Sequence, residues 1–242
     1  MARIQRIPLL DLARTTALVG MVVYHFTYDL DVFGYIAPGT AVSGGWAVFA
    51  RIVAGSFLFL AGVSLYLAHG GGIRWRGFLK RAAQIGAGAA LITVTTWFNT
   101  PSAYVFFGIL HAILAASVIG LAFLRLPWVV TLGVAVIVVA GRDYFRADIF
   151  NAPWLLWVGL STEPVRSVDY VPAFPWFGPF LAGLALAKLS VATGFTDILR
   201  RMVPEGRLVN LLALPGRHSL IIYLLHQPIL FGAFAAIAWA TR

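Results

Sequence analysis

Cysteine is missing from this chain of 242 residues. Its absence excludes disulfide bonds, a thiolate nucleophile and any metal site built on cysteine ligands. The sequence also lacks the phosphate-binding Walker motif, the glycine fingerprint of dinucleotide-binding folds, the Gly-x-Ser-x-Gly turn of hydrolases and the His-Glu-x-x-His zinc motif. Five histidines remain, but without cysteine or paired glutamate beside them they do not indicate a metal site, and we expect no metal.

Charged residues are scarce as well. They make up 11% of the chain and hydrophobic residues 60%, whereas about 25% of a soluble domain is charged. No proline-, serine- or charge-rich linker divides the sequence. We therefore predict a single integral membrane domain over residues 1–242. A net charge of +9 would suggest nucleic acid in a soluble protein, but here it indicates basic cytoplasmic loops, and we expect no nucleic-acid partner.

The long apolar runs predict an all-α bundle of about seven transmembrane helices. These runs cover residues 9–30, 46–68, 78–98, 103–124, 127–141, 173–190 and 216–240. The apolar piece at 149–160 is too short to cross a bilayer, and its Trp154 and Trp157 are typical of the headgroup region. We predict a short re-entrant or interfacial helix there.

Two segments beside the sixth run depart from a simple bundle. Pro172, Pro175 and Pro179 predict a broken start to this helix, which membrane proteins tolerate where the chain lines a cavity or is buried. Residues 195–212 alternate apolar and basic side chains, and they predict a pair of interfacial cytoplasmic helices around Pro204-Glu205-Gly206.

Basic residues are distributed unevenly between the predicted loops. If the N-terminus is cytoplasmic, 13 of the 18 Lys and Arg residues fall on the cytoplasmic side and five on the outer side. Six of the nine acidic residues fall on the outer side. Because basic residues collect in cytoplasmic loops, this bias predicts an N-terminus inside and a C-terminus outside.

The first span carries four ionisable residues, Asp11, Arg14, His25 and Asp29. At about 100° and 1.5 Å per residue, they form one stripe that extends over about 27 Å of the helix. Each ionisable group costs about 2.5–3.5 kcal/mol at the bilayer centre, so the stripe should face a bundle interior or a wet cavity. Asp11 and Arg14 also interrupt the apolar run, which favours a retained span over a cleaved signal peptide.

Two later spans contain further histidines. His111 lies about two turns from the outer end of the fourth span, at a depth similar to that of His25. In the last span three polar residues share one face and a fourth lies beside it, namely Ser219, Tyr223, His226 and Gln227. A lone histidine in a span serves equally well as an interhelical hydrogen-bonding residue, so both roles stay open.

Six stretches together resemble a known family. They read RIPLLDLAR at 6–14, MVVYHF at 21–26, FLFLAGVSL at 57–65, FGILHAI at 107–113, DYVPAFPWFG at 169–178 and HSLIIYLLHQPI at 218–229. The chain is similar over nearly its whole length to bacterial relatives of the heparan-alpha-glucosaminide N-acetyltransferase catalytic domain, within the transmembrane acyltransferases. Family members often read D-x-x-R-G in the first span, whereas here Thr15 follows Arg14.

The resemblance implies a multi-pass enzyme of the bacterial cytoplasmic membrane, with membrane lipids around it. It implies transfer of an acetyl group from cytosolic acetyl-CoA, or of another acyl group from its acyl-CoA, to an amine or hydroxyl of an extracytoplasmic sugar or glycolipid. The oligomeric state, including a homo-oligomer, stays open. The eukaryotic enzyme has its catalytic histidine after the first span, but residues 31–45 contain no histidine here.

We therefore place the catalytic role on His25, from its depth and its neighbours. Acyl transfer from a thioester needs a general base or a nucleophile, and His25 can act as base or transient acyl carrier. Asp29, at i+4, could orient its ring, and we expect His111 and His226 to line the same cavity. Arg51 could pair with Asp29 or bind the acceptor. Further candidates for acceptor binding are Asp169, Tyr223 and Gln227.

The inner end of the first span allows two interpretations. Asp11 and Arg14 could form a structural ion pair. Alternatively, Arg14 could receive the phosphates of CoA together with Arg81, Arg217 or His218, since a polyanionic substrate has to enter through the basic cytoplasmic side.

Two functions of other classes compete with the enzyme. The first is a small transporter in which the histidines and aspartates relay protons, although the spans do not divide into two matching halves. The second is a non-catalytic membrane protein that presents its basic cytoplasmic face to a partner. Substitution of His25 would then have no effect, whereas charge reversal at Arg74 and Arg76 would.

Overall fold

The computed structural model describes residues 7–202 and 206–241. Within these residues the chain is helical and contains no β-strand. The described α-helices are α1 Pro8–Val32, α2 Gly44–His69, α3 Trp75–Asn99, α4 Ile109–Gly120, α5 Trp128–Ala140, α6 Ala173–Ala192, α7 Phe195–Met202, α8 Arg207–Leu212, α9 Leu214–Arg217 and α10 Ser219–Ala240. The prediction of an all-α protein is confirmed.

Four of the described helices, α1, α2, α6 and α10, are long and apolar enough to cross a membrane. The helices α4 and α5 are apolar but shorter. Each of the seven predicted spans corresponds to one of the helices α1–α6 and α10. Length and apolar character therefore support a membrane protein with four candidate spans.

The segment near 149–160 forms two 3₁₀ turns, Asp148–Asn151 and Pro153–Val158, where we predicted one short helix. Pro153 explains the interruption, because proline lacks a backbone N–H and disfavours helical angles at the residue before it. Ala152 accordingly has extended backbone angles, φ −60° and ψ 133°.

The predicted irregularities around α6 are present. Phe174 interrupts the start of the helix with φ −95° and ψ 124°, and the regular turns follow it. After α6, the predicted interfacial pair corresponds to α7 and α8. Pro204 and Glu205, between these two helices, lie outside the described residues.

The chain divides into two compact units. The first unit contains the residues up to Phe57 together with those from Phe195 onward, and the second contains Leu58–Gly194. The boundary falls within α2. Whether the two units together form the single domain predicted over residues 1–242 stays a prediction.

In the first unit, α1 and α10 run parallel. Near the start of α1, Thr15 contacts Leu212, the last residue of α8, and Gly216 of α9, which both lie shortly before α10. Near the end of α1, the ring of Phe33 packs against Phe231 and Phe234 of α10, with centroids 5.1 and 5.6 Å apart. Contacts therefore advance in the same direction along both helices, and α7, α8 and α9 also pack against α1.

In the second unit, α2 and α6 meet through two glycines. A Cβ atom added to Gly62 would lie 1.9 Å from the carbonyl oxygen of Phe180, and one added to Gly183 would lie 2.1 Å from the carbonyl oxygen of Phe59. Each glycine thus lets the backbone of the other helix approach. Small residues serve this purpose in membrane helix pairs.

Substitution of Gly62 by alanine should destabilise the second unit. The new methyl group cannot fit against a backbone oxygen, so α2 and α6 must separate, at an expected cost of about 1–3 kcal/mol. Unfolding in detergent, followed by tryptophan fluorescence, measures the change. The matched control is Gly133→Ala in α5, where an added Cβ atom meets nothing within 4 Å. Equal stability of the two variants would contradict this packing.

Candidate functional site

Four polar residues of the first unit form a group that we call the histidine cluster, namely His25 and Asp29 of α1 with His226 and Gln227 of α10. Asp29 and His226 are buried, and His25 and Gln227 are half-buried. The centroids of the two imidazole rings are 4.8 Å apart. Gln227 donates a hydrogen bond from Nε2 to Oδ1 of Asp29, at 2.8 Å. The parallel packing of α1 and α10 therefore brings together two pairs of residues that lie about 200 positions apart in the chain.

The histidine cluster has more polar atoms than internal partners. Nδ1 of His25, Oδ2 of Asp29, Nε2 of His226 and Oε1 of Gln227 are buried and have no hydrogen-bond partner among the described residues. More than nine in ten buried polar groups in proteins have a partner. Four such atoms in one place are the expected property of a site that binds a polar ligand.

The tautomer of His226 follows from its contact with the backbone. Its Nδ1 lies within hydrogen-bond distance of the carbonyl oxygen of Tyr223. A carbonyl oxygen can only accept, so Nδ1 must carry the hydrogen. In the neutral ring, Nε2 is then an unprotonated nitrogen with a free lone pair, as a general base requires.

Asp29 bonds to Gln227, whereas we expected it to contact His25 or Arg51. Asp29 forms no hydrogen bond with His25 and no ion pair with Arg51 among the described residues. Arg51 is instead exposed in the first half of α2. The orienting role of Asp29 and the acceptor-binding role of Arg51 stay predictions.

At the other end of α1, two arginines converge on one carboxylate. Arg14 Nη1 lies 2.7 Å from Oδ1 of Asp11, and Arg217 Nε lies 3.4 Å from Oδ2. The side chains of Arg14 and Arg217 are 27% and 25% exposed, so both remain open to solvent. His218 follows Arg217 directly, is exposed and precedes the first residue of α10. The structural pair of Asp11 and Arg14 is therefore present, and both arginines keep part of their side chains exposed.

Thr15 is a residue whose role sequence reasoning missed. Its hydroxyl donates to the carbonyl oxygen of Leu212 at 2.8 Å and accepts from the backbone N–H of Gly216 at 3.0 Å. These bonds join α1 to the segment before α10. The available signal was the threonine at position 15, where family members often have glycine after the arginine. Threonine adds a side chain that can form hydrogen bonds there.

His111 lies in the second unit, where both of its ring nitrogens have partners. Nδ1 accepts from the backbone N–H of Gly108 at 3.3 Å, so Nε2 carries the hydrogen and donates to the hydroxyl of Thr93 at 3.2 Å. Thr93 in turn donates to the carbonyl oxygen of Val105 at 2.7 Å. These contacts favour a role for His111 in holding the start of α4, and its catalytic role stays a prediction.

Asp169 also holds the start of α4. Its Oδ2 accepts from the backbone N–H of Ile109, the first residue of that helix, at 3.0 Å. A carboxylate at a helix N-terminus interacts favourably with the helix dipole. Burial nevertheless raises the pKa of Asp169 to about 6, because the cost of burying the charge exceeds the stabilisation by the N–H of Ile109.

The raised pKa of Asp169 predicts a pH dependence of stability. The folded protein binds this proton more tightly than the unfolded chain, whose pKa is near 3.8. The stabilising contribution is therefore complete below about pH 4 and is lost as the pH rises through 6, by at most about 3 kcal/mol. Asp169→Asn should remove this part of the pH profile in detergent unfolding experiments. The exposed Asp143→Asn is the control, and identical profiles for Asp169→Asn and the wild type would refute the prediction.

Lys188 is a second residue that sequence reasoning missed. It is 5% exposed within α6, and its ammonium donates to the carbonyl oxygens of Phe123 and Leu126 and to the hydroxyl of Thr131. All three ammonium hydrogens thus have partners, at the turn between α4 and α5. The signal was a single lysine near the cytoplasmic end of the sixth apolar run, which we counted only among the basic residues of the cytoplasmic side.

The roles of the remaining candidates, Arg81 and Tyr223, stay predictions. Arg81 is exposed on α3 in the second unit, and Tyr223 packs its ring 5.5 Å from that of His226. Within residues 7–202 and 206–241, no group of three His, Cys, Asp or Glu side chains is arranged to hold a metal ion.

Comparison with known proteins gives one match. No curated protein and no solved structure matches the chain. The profile of the family described as heparan-alpha-glucosaminide N-acetyltransferase, catalytic, matches residues 6–228, which is most of the chain. The motifs identified above lie almost entirely inside this range. The chain therefore belongs to the heparan-alpha-glucosaminide N-acetyltransferase catalytic-domain family.

Proposed function

We propose that this protein is a membrane-embedded acyltransferase of the bacterial cytoplasmic membrane. It moves an acetyl or other acyl group from cytosolic acyl-CoA to an amine or hydroxyl of an extracytoplasmic sugar or glycolipid. Family membership supports a membrane acetyltransferase in general. The observation that carries the proposal is the histidine cluster, with its four buried polar atoms that have no partner among the described residues.

The chemistry follows from the histidine cluster. Nε2 of His226 accepts the proton of the attacking amine or hydroxyl. The nitrogen or oxygen of the acceptor then forms a bond with the acyl carbon, and the C–S bond of the thioester breaks. The departing CoA thiolate then takes the proton. His25 acts as a second base or as a transient acyl carrier, in which case its imidazole nitrogen holds the acyl group between two such displacements.

The basic end of α1 supplies a place for the phosphates of CoA. Arg14 and Arg217, with His218 beside them, lie at the N-terminal ends of α1 and α10. Arginine and helix N-termini both favour phosphate. His25 is 11 residues further along α1, about 16 Å at 1.5 Å per residue. The extended arm of acyl-CoA is suited to connect a phosphate site at one end of the helix to an acyl group at the other.

The proposed topology has seven spans, with the N-terminus inside and the C-terminus outside. Successive spans alternate in direction, so parallel first and last spans require an odd number in total. The parallel packing of α1 and α10 supports an odd number, whereas the four longest apolar helices alone would make α10 antiparallel to α1. At least one of the other apolar helices must then cross as well, and seven spans meet this condition.

Binding of acetyl-CoA tests the donor side of the proposal. We expect purified protein to bind acetyl-CoA, and Arg14→Ala to weaken this binding roughly ten- to hundredfold, because a charge-assisted hydrogen bond contributes about 1.5–3 kcal/mol. His25→Ala should retain binding, since it acts at the acyl end. Arg142→Ala, an exposed arginine after α5, is the control. A folded protein that binds no acyl-CoA would overturn the proposal.

A further inference from the structure

The connection between α6 and α10 carries exposed apolar side chains on α7 and α8. Those of α7 are 46–62% exposed and those of α8 are 50–68% exposed. We call them the α7–α8 apolar surface, which consists of Phe195, Ile198, Met202, Leu208, Leu211 and Leu212. Exposure of this surface to water would be unfavourable, since burial of each CH₂ group contributes about 0.8 kcal/mol.

The two helices are amphipathic. At about 100° per residue, Phe195, Ile198 and Met202 fall within an arc of about 60° on α7. Asp197 and Arg200, which form an ion pair, lie on the opposite side. Arg201 is exposed at the border between the two sides. Helices with this division and low overall hydrophobicity are typical of the plane of a membrane interface.

The position of α8 in the first unit places this surface at the end of two candidate spans. The carbonyl oxygen of Leu212, the last residue of α8, accepts from Thr15 near the start of α1. α9 follows, and α10 begins at Ser219. Since α1 and α10 are both candidate membrane spans and run parallel, α8 lies where both of them leave the bilayer.

The charges of this segment favour an anionic partner. Residues 195–217 contain four arginines and two acids. Arg200 is paired with Asp197 at 2.7 Å, whereas Arg201 and Arg207 are exposed. A basic segment beside a transmembrane helix gains about 1 kcal/mol per Lys or Arg from an anionic lipid surface.

We propose that α7 and α8 form an in-plane lipid-binding surface, with the α7–α8 apolar surface among the acyl chains and the exposed Arg201 and Arg207 on anionic phospholipid headgroups. An apolar face of this kind enters about 5–10 Å into the headgroup and acyl boundary. The surface anchors the segment that holds Arg217 against Asp11. The inference does not depend on the acyltransferase function.

The missing cysteines make a direct test simple, because each introduced cysteine is unique. Full-length protein is labelled with a nitroxide at Ile198→Cys or Leu211→Cys and reconstituted in vesicles of phosphatidylcholine and phosphatidylglycerol. We expect both labels to be accessible to oxygen and several-fold less accessible to a hydrophilic nickel complex. Asp197→Cys, on the opposite side of α7, is the control and should show the reverse.

Two results would overturn the lipid assignment. High nickel accessibility at Ile198 and Leu211 would place the surface in water. Low accessibility to both oxygen and nickel would mean that a protein surface, such as a second copy of the chain, covers it.

The role of the arginines is tested by comparing vesicles with and without anionic lipid. The Ile198 label should lie deeper in vesicles with phosphatidylglycerol than in pure phosphatidylcholine, and this difference should disappear in the Arg201→Gln/Arg207→Gln background. Equal depth in both vesicles would refute the anionic preference.

Discussion

Substitution of His226 by alanine is expected to lower the rate of acyl transfer by about 10²–10⁴-fold, the usual contribution of a general base. The carbonyl of Tyr223 fixes the hydrogen on Nδ1, so Nε2 is the free base of this ring. The effect should appear in kcat, while binding of acyl-CoA at the basic end of α1 is retained. Released CoA can be followed with a thiol reagent, since the protein has no thiol of its own.

The matched control for His226→Ala is Leu225→Ala. Leu225 precedes His226 in α10 and is 51% exposed, so its truncation changes the helix without reaching the histidine cluster. We expect this variant to keep its activity. Full activity of a folded His226→Ala protein would remove this histidine from the mechanism and leave His25 as the candidate base.

Substitution of Lys188 by methionine is expected to destabilise the protein by about 1–3 kcal/mol. Methionine fills a similar volume but donates no hydrogen bond, so the carbonyl oxygens of Phe123 and Leu126 lose the ammonium. Of the two, only that of Phe123 keeps a partner among the described residues, the N–H of Leu126. A polar group left without a partner away from water costs about 1–3 kcal/mol. The loss is partly offset because no charge has to be buried. Denaturant titration in detergent, followed by tryptophan fluorescence, measures it.

The control for Lys188→Met is Lys80→Met, an exposed lysine of α3. This change removes the same charge without leaving buried acceptors, and we expect it to alter stability by less than about 0.5 kcal/mol. Equal stability of the two variants would mean that the turn between α4 and α5 does not depend on the lysine.

The helices and the polar stripe of α1 could be predicted from the sequence because both follow from local periodicity. Apolar runs locate the seven long or apolar helices to within three residues, except α4, which starts six residues after and ends four residues before the predicted run. At 3.6 residues per turn, Asp11, Arg14, His25 and Asp29 fall on one side. The family could be identified because its motifs are spread along the chain and are matched by the family profile over residues 6–228.

The partners of these residues could not be predicted, because they depend on packing between distant helices. Asp29 is four residues from His25, yet its hydrogen bond goes to Gln227 in α10. The sequence predicts a similar depth for His111 and His25, but a threonine and a backbone N–H occupy the ring nitrogens of His111. The burial of Lys188 likewise depends on how the turn after α4 lies against α6. Depth and helical periodicity do not fix any of these contacts.

The central claim is that the protein transfers an acyl group from acyl-CoA, and product formation tests it most directly. Protein reconstituted in vesicles is incubated with isotopically labelled acetyl-CoA and a set of sugars and amino sugars, and the products are identified by mass spectrometry. The proposed function predicts a labelled acetyl-sugar and an equal amount of free CoA with the wild type and with Leu225→Ala, but not with His226→Ala. Folded wild-type protein that neither binds acetyl-CoA nor releases CoA with any acceptor would contradict it.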